Sequence, residues 1–177
     1  MMSRFLLVYG TREPTSVKFL RHVATQEALR WWPNGNGLAE VRADTEVTPE
    51  MIERCNLVLY GGPGENRMTS RISAKLPIQA RPGRMLLGRR DLGDSLAALV
   101  TYPNPLNPNR LVLVRMGTDP QSLRLSTFFG IAGPSTGVPD FMIFDRSVRR
   151  LGWAGVRAAG FFDSDWQLDP ASMFVKE

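Results

Sequence analysis

The amino-acid sequence predicts an α/β fold with an open, mostly parallel sheet and helices on both faces. Three observations carry this expectation. Short unbroken apolar runs, two of them closed by glycine, recur through the first half of the chain. Between them lie segments whose apolar residues return every three or four positions. Prolines stand at the head of three of the helical segments, beside capping or acidic residues. Strands buried on both faces read as continuous apolar runs, and strands alternating with helices build a parallel sheet. The 177 residues, 43% apolar and 22% charged, suit a single domain spanning 1–177 with a real core.

The elements follow in order. Arg4-Phe5-Leu6-Leu7-Val8-Tyr9-Gly10 is the first buried strand, an apolar run closed by glycine. Glu13-Pro14-Thr15 starts a helix from Ser16 to Trp32, in which Phe19, Leu20, Val23, Ala24, Ala28, Leu29 and Trp32 form one apolar stripe. Pro33-Asn34-Gly35-Asn36-Gly37 supplies turn chemistry that ends it. Ala39 to Ala43 is the second strand. Thr48-Pro49-Glu50 opens a short helix with a hydroxyl cap, a proline at the first helical position and an acid in the first turn. Asn56 to Tyr60 is the third strand, the glycine-rich turn Gly61 to Arg67 follows, and Met68, Ile72 and Leu76 mark a third helix. This first half has the alternation of a flavodoxin- or Rossmann-like unit.

The second half is less regular and partly antiparallel. Leu96 to Tyr102 and Leu111 to Arg115 read as neighbouring strands around Pro103-Asn104-Pro105-Leu106-Asn107-Pro108, a bend too short for a crossover helix. Asp119-Pro120 caps a helix extending to about Phe129, Gly130 to Pro139 is a loop, and Phe141–Phe144 and Val156–Phe162 are strands.

Composition narrows the function classes. One cysteine, Cys55, allows no internal disulfide, and no apolar stretch reaches the length of a membrane span or a signal-peptide core, so a soluble cytoplasmic protein is expected. The net charge is +5, with 22 Lys and Arg of which only Lys18, Lys75 and Lys176 are lysine. The arginines are scattered; the local clusters are Arg81–Arg84–Arg89–Arg90 and Arg146–Arg149–Arg150. No basic stripe, reading motif or interleaved aromatic series accompanies them, so nucleic acid is not the expected partner.

Gly133-Pro134-Ser135-Thr136-Gly137 matches the G-x-S-x-G elbow of α/β-hydrolases. The elbow needs a helix directly after the serine, and Pro139 opposes one; the sole histidine, His22, stands far upstream instead of after the nucleophile. The match is read as fortuitous, and no catalytic residue is assigned. A lone His22 makes no metal site, Cys55 reads as a packed apolar side chain, and Asp163-Ser164-Asp165 reads as a polar turn. No metal or cofactor is expected. Gly61-Gly62-Pro63-Gly64 stands between strand and helix, where backbone amides can hold an anion, though the glycines equally serve a tight turn.

Several segments together resemble a known module. They are Tyr9-Gly10-Thr11, Ala43-Asp44-Thr45-Glu46-Val47-Thr48, Asn56 to Pro63 with Asn66-Arg67, Tyr102-Pro103-Asn104-Pro105-Leu106-Asn107-Pro108, Pro139-Asp140-Phe141 with Phe144-Asp145, and Ala159-Gly160-Phe161-Phe162-Asp163-Ser164-Asp165-Trp166. This set resembles the α/β module C-terminal to the peptidase domain in some bacterial prolyl-oligopeptidase-family serine hydrolases. The resemblance implies an accessory module whose peptidase triad lies in another domain, so no catalytic residue carries over.

Two functions follow as expectations. The first is a non-catalytic accessory or assembly subunit acting through contacts with another protein. The second is a small-molecule binder, of an anion or nucleotide, or an enzyme, using the loops at the carboxyl ends of the parallel strands. There Thr11, Arg12, Gly61, Gly62, Asn66 and Arg67 would flank the crevice, with Asn104, Asn107 and Arg110 reaching it.

Overall fold

The structure is a computed structural model that describes residues 4–35, 37–130 and 138–176. The chain alternates β1 (Phe5–Tyr9), α1 (Pro14–Gly35), β2 (Glu40–Ala43), α2 (Pro49–Arg54), β3 (Asn56–Tyr60) and α3 (Arg67–Ile72). A small antiparallel sheet follows, made of β4 (Ile78–Arg81), β5 (Arg84–Leu87) and β6 (Arg90–Asp91). The remainder comprises β7 (Ala97–Asn104), β8 (Asn107–Gly117), α4 (Pro120–Leu125), β9 (Phe141–Phe144), α5 (Val148–Leu151), β10 (Val156–Phe162) and β11 (Leu168–Val175).

Eight strands form the large sheet in the order β11-β10-β9-β7-β8-β3-β1-β2. The expected mostly parallel sheet is corrected here. Only the β1–β2, β1–β3 and β3–β8 pairings are parallel, and the other four, β7–β8, β7–β9, β9–β10 and β10–β11, are antiparallel. The cause is connection length. A parallel return needs a crossover of a dozen or more residues, whereas β7 and β8 are joined by Pro105-Leu106 alone and β10 and β11 by residues 163–167.

Helices cover both faces. On one, Leu20 and Ala24 of α1 and Leu123 of α4 pack against Leu7, Val58 and Tyr60. On the other, Ile52 of α2 and Met68 and Ile72 of α3 pack against Leu6, Val8, Leu57 and Leu59. The small sheet extends this second cover, with Ile78, Ala80, Met85 and Leu87 turned into the same core. Sequence inspection left residues 78–91 unassigned. Their signal is a period-two alternation on either side of Pro82-Gly83, where Gly83 has φ +69°.

The caps explain several boundaries. Thr48 accepts the Met51 amide with Pro49 in the first turn of α2, and Asp119 accepts the Gln121 and Ser122 amides (2.8 and 3.0 Å) to start α4. That helix ends at Leu125, short of the expected Phe129; beyond it the Thr127 and Phe128 amides bond to carbonyls three residues back, and the Ser126 and Phe129 carbonyls accept from the Arg115 side chain. Helix α1 runs beyond Pro33 to Gly35.

Candidate functional site

The carboxyl ends of β1, β2, β3 and β8 share one edge of the sheet, and Thr11, Arg12, Gly61, Gly62, Asn66 and Arg67 lie in the loops after β1 and β3 at that edge. What these residues do is bind one another. The Asp44 carboxylate after β2 accepts the Thr11 hydroxyl (2.5 Å), the Thr11 amide (3.2 Å) and the Arg67 amide (2.7 Å). Asn66 is fully buried; its Nδ2 donates to the carbonyls of Val8 and Tyr60, and its Oδ1 accepts the amides of Met68 and Thr69. The amides at the start of α3 therefore already have oxygen partners supplied by the chain. The carboxylate of Asp44 stands where an incoming anion would be, and burial pushes the nearby Glu65 carboxyl up from its ordinary value.

The glycines serve this closure. A Cβ at Gly10 would sit 2.4 Å from the Glu65 carbonyl oxygen, so only glycine lets β1 end against the β3–α3 loop. Gly61 has φ +111° and turns the chain out of β3. Arg12 is spread over the loop, donating to the Pro63 carbonyl (2.9 Å) and to Ser70 Oγ (2.7 Å). Arg67 projects from the surface.

Asn104, Asn107 and Arg110 are at the other end of the sheet. Val112 pairs with Leu57 near the start of β3 and with Tyr102, which places the β7–β8 turn at the amino edge. There Asn107 Nδ2 and Arg110 Nε donate to the Ile52 and Glu53 carbonyls at the end of α2, the Arg110 bond at 2.9 Å. These three residues are anchors for the hairpin and are separated by the length of the strands from Thr11 and Arg67. A hairpin bend and a strand-end loop look alike in sequence; only the pairing register tells which edge each occupies.

Sequence inspection also missed the charged group inside the core. Arg115 on β8 and Glu27 on α1, 1% and 5% exposed, form an ion pair at 2.5 Å. The Tyr60 hydroxyl donates to the same carboxylate, and Arg115 also donates to the Ser126 and Phe129 carbonyls. Burial, then the adjacent Glu27 carboxylate, raise the Tyr60 phenol well above its ordinary value. The group ties α1 and the chain after α4 to the sheet and faces no opening. Its trace in the sequence is Arg115 inside the apolar run Leu111–Met116 and Glu27 as one of several charged residues of α1, a weak signal.

Two surface features remain. Near the end of α1 an apolar groove is lined by Thr25, Ala28, Leu29, Trp32, Leu38 and Ala39, beside the edge strand β2. Leu29, Trp32 and Leu38 are 62%, 59% and 87% exposed. At the carboxyl edge, a cleft of about 140 Å³ lies between α4, the turn before β7 and the turn after β9. It belongs to no motif identified in the sequence, although Arg146 and Arg149 in its wall are two of the clustered arginines noted above.

The remaining expectations are local. His22 is exposed, and Cys55 is a free thiol packed against the core beside Ile52. Asp163 closes a turn by accepting the Asp165 and Gln167 amides (2.9 and 2.8 Å), and no group of metal-ligating side chains exists among the described residues. Gly133, Ser135 and Gly137 lie outside the described residues. Among the described residues, no helix is long and apolar enough to cross a membrane.

No known protein-family profile matches the chain. Over 71 residues, 40% of its length, it is 35% identical to an "Uncharacterized secreted protein" of Arthroderma benhamiae. The chain spans only about 8% of the length of that relative. This likeness overturns the expected cytoplasmic location, since a secreted relative points away from the cytoplasm.

Proposed function

We propose that this chain is a non-catalytic α/β module that works by contact with another protein. The observation that carries this reading is the apolar groove at the sheet edge, where Leu29, Trp32 and Leu38 stand exposed side by side. Contiguous apolar surface on a folded chain marks a place of association, and tryptophan is prominent among the residues that anchor such contacts. The expected alternative at the strand ends loses ground, because Asp44 and Asn66 occupy the donors a ligand would use. Two likenesses support the same reading. The set of motifs resembles a module that accompanies a separate peptidase domain, and the curated match covers a small part of a much longer secreted protein.

The test compares tagged wild type with a Leu29→Ser, Trp32→Ser, Leu38→Ser variant in extracts and secreted fractions of the source. The three side chains are mostly in solvent, so the variant keeps the wild-type melting temperature to within a few degrees. The expected result is a protein that accompanies the wild type, is lost with the variant, and binds the purified wild type alone. Identical associates for both forms, or no binding between purified components, would overturn the proposal.

A further inference from the structure

We propose that the cleft at the carboxyl edge of the sheet binds a small oxyanion, either inorganic phosphate or the phosphoryl group of a small phosphomonoester. Its position follows from the register. Ala97 at the start of β7 pairs with Gly117 at the end of β8 and with Phe144 at the end of β9. The segments before β7, after β8 and after β9 therefore converge at the edge where the parallel strands end. Ligands of open α/β sheets sit outside that edge.

The chemistry of the wall selects the ligand. Ser95, Gln121, Ser122, Leu125, Arg146 and Arg149 line the cleft, and no carboxylate is among them. Asp119, beneath the wall, is engaged by the lining itself, accepting the Ser122 hydroxyl and the Gln121 and Ser122 amides. Arg146 and Arg149 are one helical turn apart, linked by the bond from the Arg149 amide to the Arg146 carbonyl (3.3 Å). Among the described residues the arginines in ion pairs are Arg42, Arg84, Arg115 and Arg157, so both cleft guanidiniums are without a carboxylate. Two forked donors of like charge at one cleft favour an anion with several acceptor oxygens.

Size and backbone refine the assignment. Sites for drug-sized ligands are about 300–1,000 Å³. A cleft of about 140 Å³ admits a phosphoryl group and leaves a nucleoside outside. Ser95 adopts φ +57°, a conformation that glycine would take without strain. Serine there brings a hydroxyl to the rim. Ser95 and Arg146 also border a wider hollow that includes Asp94, Asp145 and Arg157, with Asp145 3.8 Å from Arg157. The two acids there face two arginines, Arg146 and Arg157, whereas the smaller cleft holds Arg146 and Arg149 with no acid in its lining, so the positive excess lies in the smaller cleft.

The site is independent of the apolar groove, and its test reads binding directly. Inorganic phosphate and glycerol 3-phosphate are titrated calorimetrically into the full chain, with sodium chloride at matched ionic strength as the control. Three variants are compared: Arg146→Ala with Arg149→Ala, Ser95→Gly, and Arg89→Ala with Arg90→Ala as an equal loss of charge elsewhere. The expected result is saturable one-to-one binding to the wild type and the Arg89/Arg90 variant. Affinity falls at least tenfold in the Arg146/Arg149 variant and several-fold in Ser95→Gly, which also relieves the backbone and so keeps the fold. Comparable binding of both ligands assigns the site to a phosphoryl group, and binding of inorganic phosphate alone assigns it to the free anion. Absence of saturable binding, or equal losses in the Arg89/Arg90 and Arg146/Arg149 variants, would overturn the proposal.

Discussion

Replacing Glu27 by alanine removes the one carboxylate that, among the described residues, pairs with the buried Arg115 guanidinium, and its cost can be worked from the geometry. Two unit charges about 4 Å apart interact by about 4 kcal/mol at an effective dielectric of about 20. Breaking one partner of a buried pair costs about 3–5 kcal/mol, because the other charge is left without compensation. Arg115 keeps the Ser126 and Phe129 carbonyls after the substitution, which places the expected loss at the lower end, about 3 kcal/mol. Out of a total of about 5–15 kcal/mol for a typical domain, that is a large share. Urea unfolding at neutral pH measures it. Glu27→Leu combined with Arg115→Met should restore part of the loss, since it leaves no unpaired buried charge, although the Tyr60 hydroxyl and the Ser126 and Phe129 carbonyls then lose their partners. The coupling between the two positions is then at least about 2 kcal/mol. A Glu27→Ala loss below about 1 kcal/mol, or strictly additive single and double variants, would refute the reasoning.

Three further outcomes are expected. Tyr60→Phe costs about 1.5–3 kcal/mol at neutral pH by removing the hydrogen bond to Glu27. Because the folded-state phenol is raised above its ordinary value of 10.0, its stabilisation is complete below that pH. It is lost as pH rises further and the unfolded phenol ionises first, so the gap between wild type and Tyr60→Phe in urea unfolding narrows above pH 10.0. Asn66→Ala strips the Met68 and Thr69 amides of their side-chain acceptor and removes one donor from the Val8 and Tyr60 carbonyls, and a loss of about 2–4 kcal/mol by the same measurement is expected. Asn104→Ala with Asn107→Ala removes the turn bond to the Leu106 amide and the anchors on α2; it lowers the melting temperature by about 4–8 °C in a thermal scan, and no change would deny the bend its structural role.

Local patterns made much of the fold legible. The run Phe5–Tyr9, the stripe through Leu20 and Ala24, the Thr48-Pro49 and Asp119-Pro120 starts and the strands Phe141–Phe144 and Val156–Phe162 are all set by neighbours within a few residues. Burial on two faces forces a continuous apolar run, and a cap needs its acceptor at one position. The meeting of Thr11, Gly61 and Arg67 was also legible, because successive βα units must place their loops at one edge. Tertiary structure alone decided the rest. The antiparallel β7–β8 pair was legible in its short bend, but the placing of β9, β10 and β11 beside β7 depended on which strands became neighbours, and the amino-edge position of Asn104, Asn107 and Arg110 depended on the pairing of β8 with β3. The Glu27–Arg115 pair joins residues 88 positions apart, and the cleft of Ser95, Ser122 and Arg146 gathers side chains from three separate segments. Charge and apolarity along the chain state what a residue can do. Its partner is fixed by the packing of distant segments, where a carboxylate such as Asp44 fills in the fold the place that the sequence left open for a ligand.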